Sequence, residues 1–328
     1  MRPQQTIRRP VSVSGVGYWS GRAVTVEFVP APAGAGVVFV RTGAGAPVRI
    51  PATVAHRVEA TARTNLASAG VQVQMVEHAM SALAGLGIDC CLVKVDAEEM
   101  PGLDGSSRAF VDAIDAAGSE SLGAAVEPFV VGEACRVGDD DAWVEVTPPR
   151  FAGLSVEYEL DYGSGPIGRQ TLSVRVTPDA YRTELASART FISQDDAARL
   201  REAGLAVTVG YGDLLVFDAD GPVGNTLRWP DECVRHKVLD LVGEEVNSIL
   251  AEDHTACGHF DLVRADVDRA VTLNAASDRD RAFCGDLGDS CAADQLAVDD
   301  VERADLSQHA DRTGGVDVDL ARVDRTTR

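Results

Sequence analysis

The sequence predicts an α+β protein of two similar domains, each a β-sheet packed with helices. Three observations carry this. Strand-like stretches such as RAVTVEFV (22–29) give way to helical patterns such as VEHAMSALAG (76–85). That order of elements then returns in the second half of the chain. Finally, 328 residues, 45% of them hydrophobic, are enough to bury the cores of two domains.

The first half reads element by element. RAVTVEFV meets the turn cluster PAPAGAG, and GVVFVRT (36–42) follows, which predicts a β-hairpin. VEHAMSALAG places apolar residues at helical spacing and closes on Gly85 and Gly87, a helix with a glycine stop. IDCCLVKVD (88–96) reads as a strand, and RAFVDAIDAAG (108–118) as an amphipathic helix. GSESLGAAV (118–126) reads as a linker.

Beyond it, VEVTPPRFAGLSVEY (144–158) resembles VEFVPAPAGAGVVFV (26–40). Both start Val-Glu, place proline fifth and turn at Ala-Gly. VRHKVLDLVG (234–243) likewise matches VEHAMSALAG at four places: Val76 and Val234, His78 and His236, Leu83 and Leu241, Gly85 and Gly243. A duplicated unit explains both matches and sets expected domains at 1–120 and 121–280. Residues 188–225 read as an insertion in the second domain, a helix followed by strands VTVGYG and LLVFD, with no counterpart in the first. Insertions beside a site commonly carry specificity. Residues 281–328 read as a disordered acidic tail.

Bulk properties exclude several functions. A net charge of -21 repels nucleic-acid phosphates and anionic membrane surfaces. No apolar run is long enough to span a membrane, so stable membrane insertion is not expected. The basic start, MRPQQTIRRP, lacks the apolar segment of a signal peptide. Seven irregularly spaced cysteines without a CxxC pair fit a reduced, cytoplasmic protein.

Two polar clusters invite chemistry. His236 and Asp240 lie four apart and share a helix face. A catalytic zinc takes three protein ligands and keeps an open position. If the duplicated helices pack together, His78 becomes the third ligand of a His-His-Asp set suited to zinc. Glu77, about 100° around the helix from His78, would flank the metal as a base. Lys237 could stabilise an oxyanion or neutralise a phosphate. Taken singly, each piece reads as simply structural. His78 fits a core histidine, and His236, Lys237 and Asp240 fit a solvated face with an i,i+4 pair. Only the matched positions of the two histidines weigh toward a metal.

Longer motifs carry a family resemblance over residues 5–275. GVGYWSGRAVTVEFVPAP, VEHAMSALAGLGID followed by EEMPGLDGSSRAFVDAI, ARTF (188–191) and NTLRWPDECVRHKVLDLVG (225–243) resemble signatures of the zinc-dependent UDP-3-O-acyl-N-acetylglucosamine deacetylases of lipid A biosynthesis. The resemblance implies two α+β domains sandwiching a zinc ion held by His78, His236 and Asp240. It makes Glu77 the general base and sets Thr190 and Lys237 at the oxyanion. It places an acyl-chain passage in the insertion after Phe191, and Tyr162 where an aromatic stacks on uracil. Phe191 and Arg264 join Tyr162 as substrate contacts. The implied partner is a UDP-linked acylated amino sugar, and the implied protein a cytoplasmic monomeric hydrolase.

Departures accompany the resemblance. A late histidine that protonates the leaving amine falls on Val267 or Val271, and its aspartate partner on Glu244. Trp19 replaces an early histidine, and Ala142 a lysine for which Arg264 is the candidate substitute. General acid catalysis contributes about 10²–10⁴-fold, so its loss would slow the reaction without removing metal or base. Glu77 could shuttle the proton itself. The alternative is a divergent paralogue, either a zinc-stabilised protein binding a sugar nucleotide or partner, or a deacetylase of another amide.

Overall fold

A computed structural model describes residues 2–43, 45–60, 62–138, 143–249, 254–257 and 259–265. The chain is a mixed α+β protein built on two five-stranded sheets. The first contains β1 (Val11–Val16), β2 (Ala23–Pro30), β3 (Val37–Arg41), β4 (Val48–Pro51) and β5 (Cys91–Val95), in the order β1-β2-β5-β3-β4. The second contains β6 (Cys135–Gly138), β7 (Trp143–Thr147), β8 (Leu154–Asp161), β9 (Arg169–Val176) and β10 (His259–Ala265), in the order β6-β7-β10-β8-β9. Strand order is therefore the same in both. So is direction: the β3–β5 and β8–β10 pairs are parallel, and the other pairs are antiparallel.

This topology corrects the expected hairpin. β2 and β3 form where the alternation predicts, with Val24, Val26 and Phe28 buried on one face of β2. They do not pair with each other, because β5 lies between them, matching Val26 to Val95 on one side and Val37 to Cys91 on the other. Cys91, Val93 and Val95 are fully buried, and a strand this apolar is best covered at the centre of a sheet. A turn cluster reverses the chain but does not choose a strand's partner. β7 and β8 flank β10 in the same way, so the two similar sequences occupy equivalent sheet positions.

The expected linker is also a strand. Ser119–Ala125 pairs antiparallel with Pro3–Ile7. Its polar and small residues look like a connector, yet its backbone groups still need partners, and the first strand of the chain supplies them.

Each half carries extra elements between its fourth strand and the next long helix. In the first half, Arg57–Val58, Asn65–Ser68 and Val71–Gln74 make a three-stranded antiparallel sheet. In the second, Phe191–Ser193 pairs parallel with Leu215–Phe217. VTVGYG is not a strand: Val207 and Tyr211 are exposed, and residues 206–209 close a turn. The following apolar run supplies Leu215–Phe217, which is buried.

The longer helices among the described residues complete the frame: α1 (Glu77–Gly85), α2 (Arg108–Ala117), α3 (Gln194–Glu202) and α4 (Glu232–Ile249). α2 buries Phe110, Val111, Ile114 and Ala117 and exposes its other face. Almost every residue of α1 is buried, as expected for a helix covered on all sides. Much of that cover comes from α4. Ser81 Oγ donates to the Leu239 carbonyl at 2.6 Å, and Tyr181 Oη donates to Ser81 Oγ at 2.7 Å.

Gly243 shows how closely the helices approach. A Cβ there would overlap the Glu77 carbonyl oxygen and stand 2.8 Å from the Ser81 nitrogen. Its role is thus close packing and not a helix stop, since α4 continues to Ile249. α1 does end at Gly85, with Gly87 at φ +71° and the Ile88 N–H capping the Leu83 carbonyl. Among the described residues, no helix is long and apolar enough to cross a membrane. The expected tail at 281–328 lies outside the described residues.

Candidate metal centre

α1 and α4 bring three potential ligands together. His78 is the second residue of α1, and its carbonyl accepts a hydrogen bond from Ser107 Oγ at 2.8 Å. His236 and Asp240 stand one turn apart on α4. Asp240 Oδ1 lies 3.3 Å from His236 Nε2 and 3.7 Å from His78 Nε2. One donor atom from each residue falls within 4.8 Å of the other two. The imidazole rings meet edge to face, with centroids 5.2 Å apart.

Burial sets the protonation of this cluster. His78 and His236 are 5% and 1% exposed. Burial, helped by the neighbouring His236, pushes His78 down to about 4. Burial lowers His236 as well. Both rings are therefore neutral at neutral pH, the form that ligates metals. His236 Nδ1 lies 3.0 Å from the Ala188 carbonyl; an Nδ1–H donated there leaves the Nε2 lone pair on the cluster. Burial disfavours ionised Asp240, but His236, Lys237 and His78 outweigh it and hold the carboxyl below its usual range.

The cluster fits a divalent cation. Asp240 Oδ1 is buried and accepts no hydrogen bond. A buried carboxylate oxygen with no donor is costly, and a cation among the three donors removes that cost. Two imidazole nitrogens and one carboxylate oxygen form the donor set of an open catalytic zinc site.

Other sequence-derived candidates surround it. Lys237 Nζ is 3.3 Å from Asp240 Oδ2 and 5.8 Å from the Phe191 ring centroid. Phe191 sits edge-on to His236 at 6.4 Å and to Tyr162 at 5.5 Å. The half-buried Tyr162 and Phe191 thus form an aromatic row ending at His236. Glu77 is buried next to His78, and its Oε2 accepts the Thr64 N–H at 3.1 Å. Thr190 donates its N–H to the Gly105 carbonyl at 2.7 Å, two residues after the carbonyl that holds His236. Trp19 lies under the Arg63 guanidinium, 4.3 Å from the ring centroid.

Glu244 follows Gly243 on α4, and Arg264 lies on β10; their side chains are outside the described residues, as are Ala142, Val267 and Val271 entirely. Beside the site, α3 and the Phe191–Ser193 and Leu215–Phe217 strands enclose an apolar hollow lined by Ile192, Ala197, Leu200, Val209, Leu214 and Val216.

Two features escaped sequence reasoning. The Ala188 carbonyl has no side-chain signature. The buried ion pair of Arg189 and Glu232 was legible only in part: Glu232 lies four residues before His236 and so shares its face of the helix.

Known proteins are similar to this chain over most of its length. A family model described as UDP-3-O-acyl N-acetylglycosamine deacetylase matches residues 4–265. The UDP-3-O-acyl-N-acetylglucosamine deacetylase of Anaeromyxobacter dehalogenans is 39% identical over 244 residues, covering 74% of this chain and 77% of the relative. Deacetylases of the same name from Solibacter usitatus (37% over 245 residues, 74% and 82% covered) and Myxococcus xanthus (38% over 249 residues, 74% and 79% covered) are similarly related.

Proposed function

We propose that this chain, which belongs to the UDP-3-O-acyl N-acetylglycosamine deacetylase family, removes the acetyl group from a UDP-linked, 3-O-acylated N-acetylglucosamine in lipid A biosynthesis. It does so in the cytoplasm and as a monomer, with Cys90, Cys91 and Cys233 kept as buried thiols. The observation that carries the reading is Asp240 Oδ1, buried without a hydrogen bond between two neutral imidazoles. His78, His236 and Asp240 would hold zinc there. The two sheets of one strand order, with α1 against α4, support two similar domains, 1–120 and 121–280, sandwiching the metal.

When bound, zinc supplies Lewis acidity, which acidifies a water and polarises an amide carbonyl. The chain's residues do the rest. Glu77, oriented by the Thr64 N–H, takes a proton from the attacking water. Lys237 and the Thr190 hydroxyl hold the oxyanion that forms on the acetamide carbon. Glu77 then passes its proton to the nitrogen, the C–N bond breaks, and acetate leaves the free amine behind. Tyr162 stacks on uracil, with Phe191 between it and the reacting centre. The apolar hollow beside α3 takes the acyl chain. Glu244 and Arg264 enter the reading through their match to the family motifs, as partner of the amine-side proton and as a substrate contact.

Acetate release from the UDP-linked acylated substrate tests this. The full chain loaded with zinc should release acetate and lose the activity to a chelator. Absence of zinc-dependent release would end the reading.

A further inference from the structure

One buried charge pair takes no part in the proposed chemistry. Arg189 is 7% exposed and Glu232 fully buried. The guanidinium grips both carboxylate oxygens, Nε to Oε1 at 2.8 Å and Nη2 to Oε2 at 3.0 Å. Glu232 also accepts the backbone N–H groups of Arg189 and Arg228, and Arg189 Nη2 reaches the Thr226 carbonyl at 2.7 Å. A buried ion pair is by itself weak evidence for stability, because apolar side chains of similar volume often hold a fold as well.

What the pair fixes is backbone beside the metal centre. The Ala188 carbonyl faces His236 Nδ1, the next residue is pinned by Glu232, and the one after is Thr190. Thr190 is itself tied at both ends, its N–H to Gly105 and its carbonyl to the Leu215 N–H at 2.9 Å. Glu232 and His236 are one turn apart, so α4 grips residues 188 and 189 at two neighbouring points on one face. Sliding this segment would free the His236 ring to turn and would move the Thr190 hydroxyl.

We infer that Arg189 and Glu232 are a positioning pair: they set the Ala188 carbonyl against His236, so that its Nε2 faces Asp240 and His78, and they place Thr190 for the oxyanion. The inference rests on the zinc reading above. Partners that orient a ligating histidine typically govern metal affinity or activity by about 10–100-fold.

The test uses the full chain carrying Arg189→Met with Glu232→Met, which leaves no charge unpaired. Zinc affinity is read by competition with a chromophoric chelator, alongside the unfolding midpoint of the metal-free protein and kcat and KM. The midpoint should fall, because the Arg189 and Arg228 N–H groups lose their acceptor, but unfolding should stay cooperative, so that zinc affinity is read on folded protein. Zinc affinity should fall about 10–100-fold, and kcat should fall by more than KM rises. Parental zinc affinity together with parental kcat would overturn the inference. Should the double variant fail to fold, Glu232→Gln is read in the same way, with the same overturning result. His236→Ala separates the two levels. If it leaves zinc binding intact, the site reading and this inference fall together. If it abolishes binding while the methionine pair leaves it unchanged, only the inference falls.

Discussion

α1 and α4 are echoes of one another in sequence, yet they give the candidate metal centre very different things. Their shared positions place His78 and His236 edge to face across the helix contact. A symmetric pair would stop at two ligands. The third comes from an asymmetry: α4 carries Asp240 where the matching residue of α1 is Ala82, and Lys237 where α1 has Ala79. The small residues of α1 let the helices close, and the polar residues of α4 fill the space between. Conversely, α1 carries Glu77 where α4 has Arg235, which pairs with Asp231 at 2.8 Å. Duplication explains how two histidines meet. Divergence after it adds one carboxylate, Asp240, to the donor cluster and leaves another, Glu77, beside His78, the two that the proposed function assigns to the metal and to the proton.

This comparison can be broken at its strongest point first. Glu77→Gln should keep zinc and lower kcat by about 10²–10⁴-fold, the usual share of a general base. Arg235→Gln, at the matching position, should leave kcat near its parental value. Equal losses in the two would erase the assigned division of labour.

Gly243→Ala is expected to come next. Its Cβ would collide with the α1 backbone at Glu77 and Ser81, so the helices must part. Overpacking of this kind costs about 1–3 kcal/mol, read as a lower unfolding midpoint and, since His78 and His236 separate, as weaker zinc binding. An unchanged midpoint would mean that the contact is looser than described.

Taken per pH unit, the smallest effect is the response of stability to pH. His78 is lowered from 6.5 to about 4 in the folded protein, so across that window the unfolded chain binds the proton first. Stability of the metal-free protein should therefore rise with pH between those values and be lost as pH falls through them. The slope from one such group is at most about 1.4 kcal/mol per pH unit, and less where the group is only partly titrated. His78→Phe should flatten the curve. A slope unchanged in that variant would assign the titration elsewhere.

The sequence was most informative where a residue's own pattern decides its place. Val24, Val26 and Phe28 alternate because one face of β2 meets the core, and that alternation is visible in one dimension. The two histidines stood out because a repeat aligned them. Pairing was less legible: nothing in residues 26–40 says that a strand some fifty residues later will enter between β2 and β3. The partner of Ser119–Ala125 is equally remote, at residues 3–7. Gly85 and Gly243 match in the repeat, yet one ends its helix and the other lies under a neighbouring helix, because glycine in either role is written with the same letter. Ala188 contributes a carbonyl, which every residue has, so only the fold distinguishes it.

The central claim is that α1 and α4 share a single metal, and metal analysis tests it most directly. The full chain and its His78→Ala, His236→Ala and Asp240→Ala variants would be loaded with zinc, desalted and measured. The account predicts one zinc per parent chain and loss of it in all three variants, including His78→Ala on the other helix. Zinc retained in full by the His78→Ala protein would contradict it.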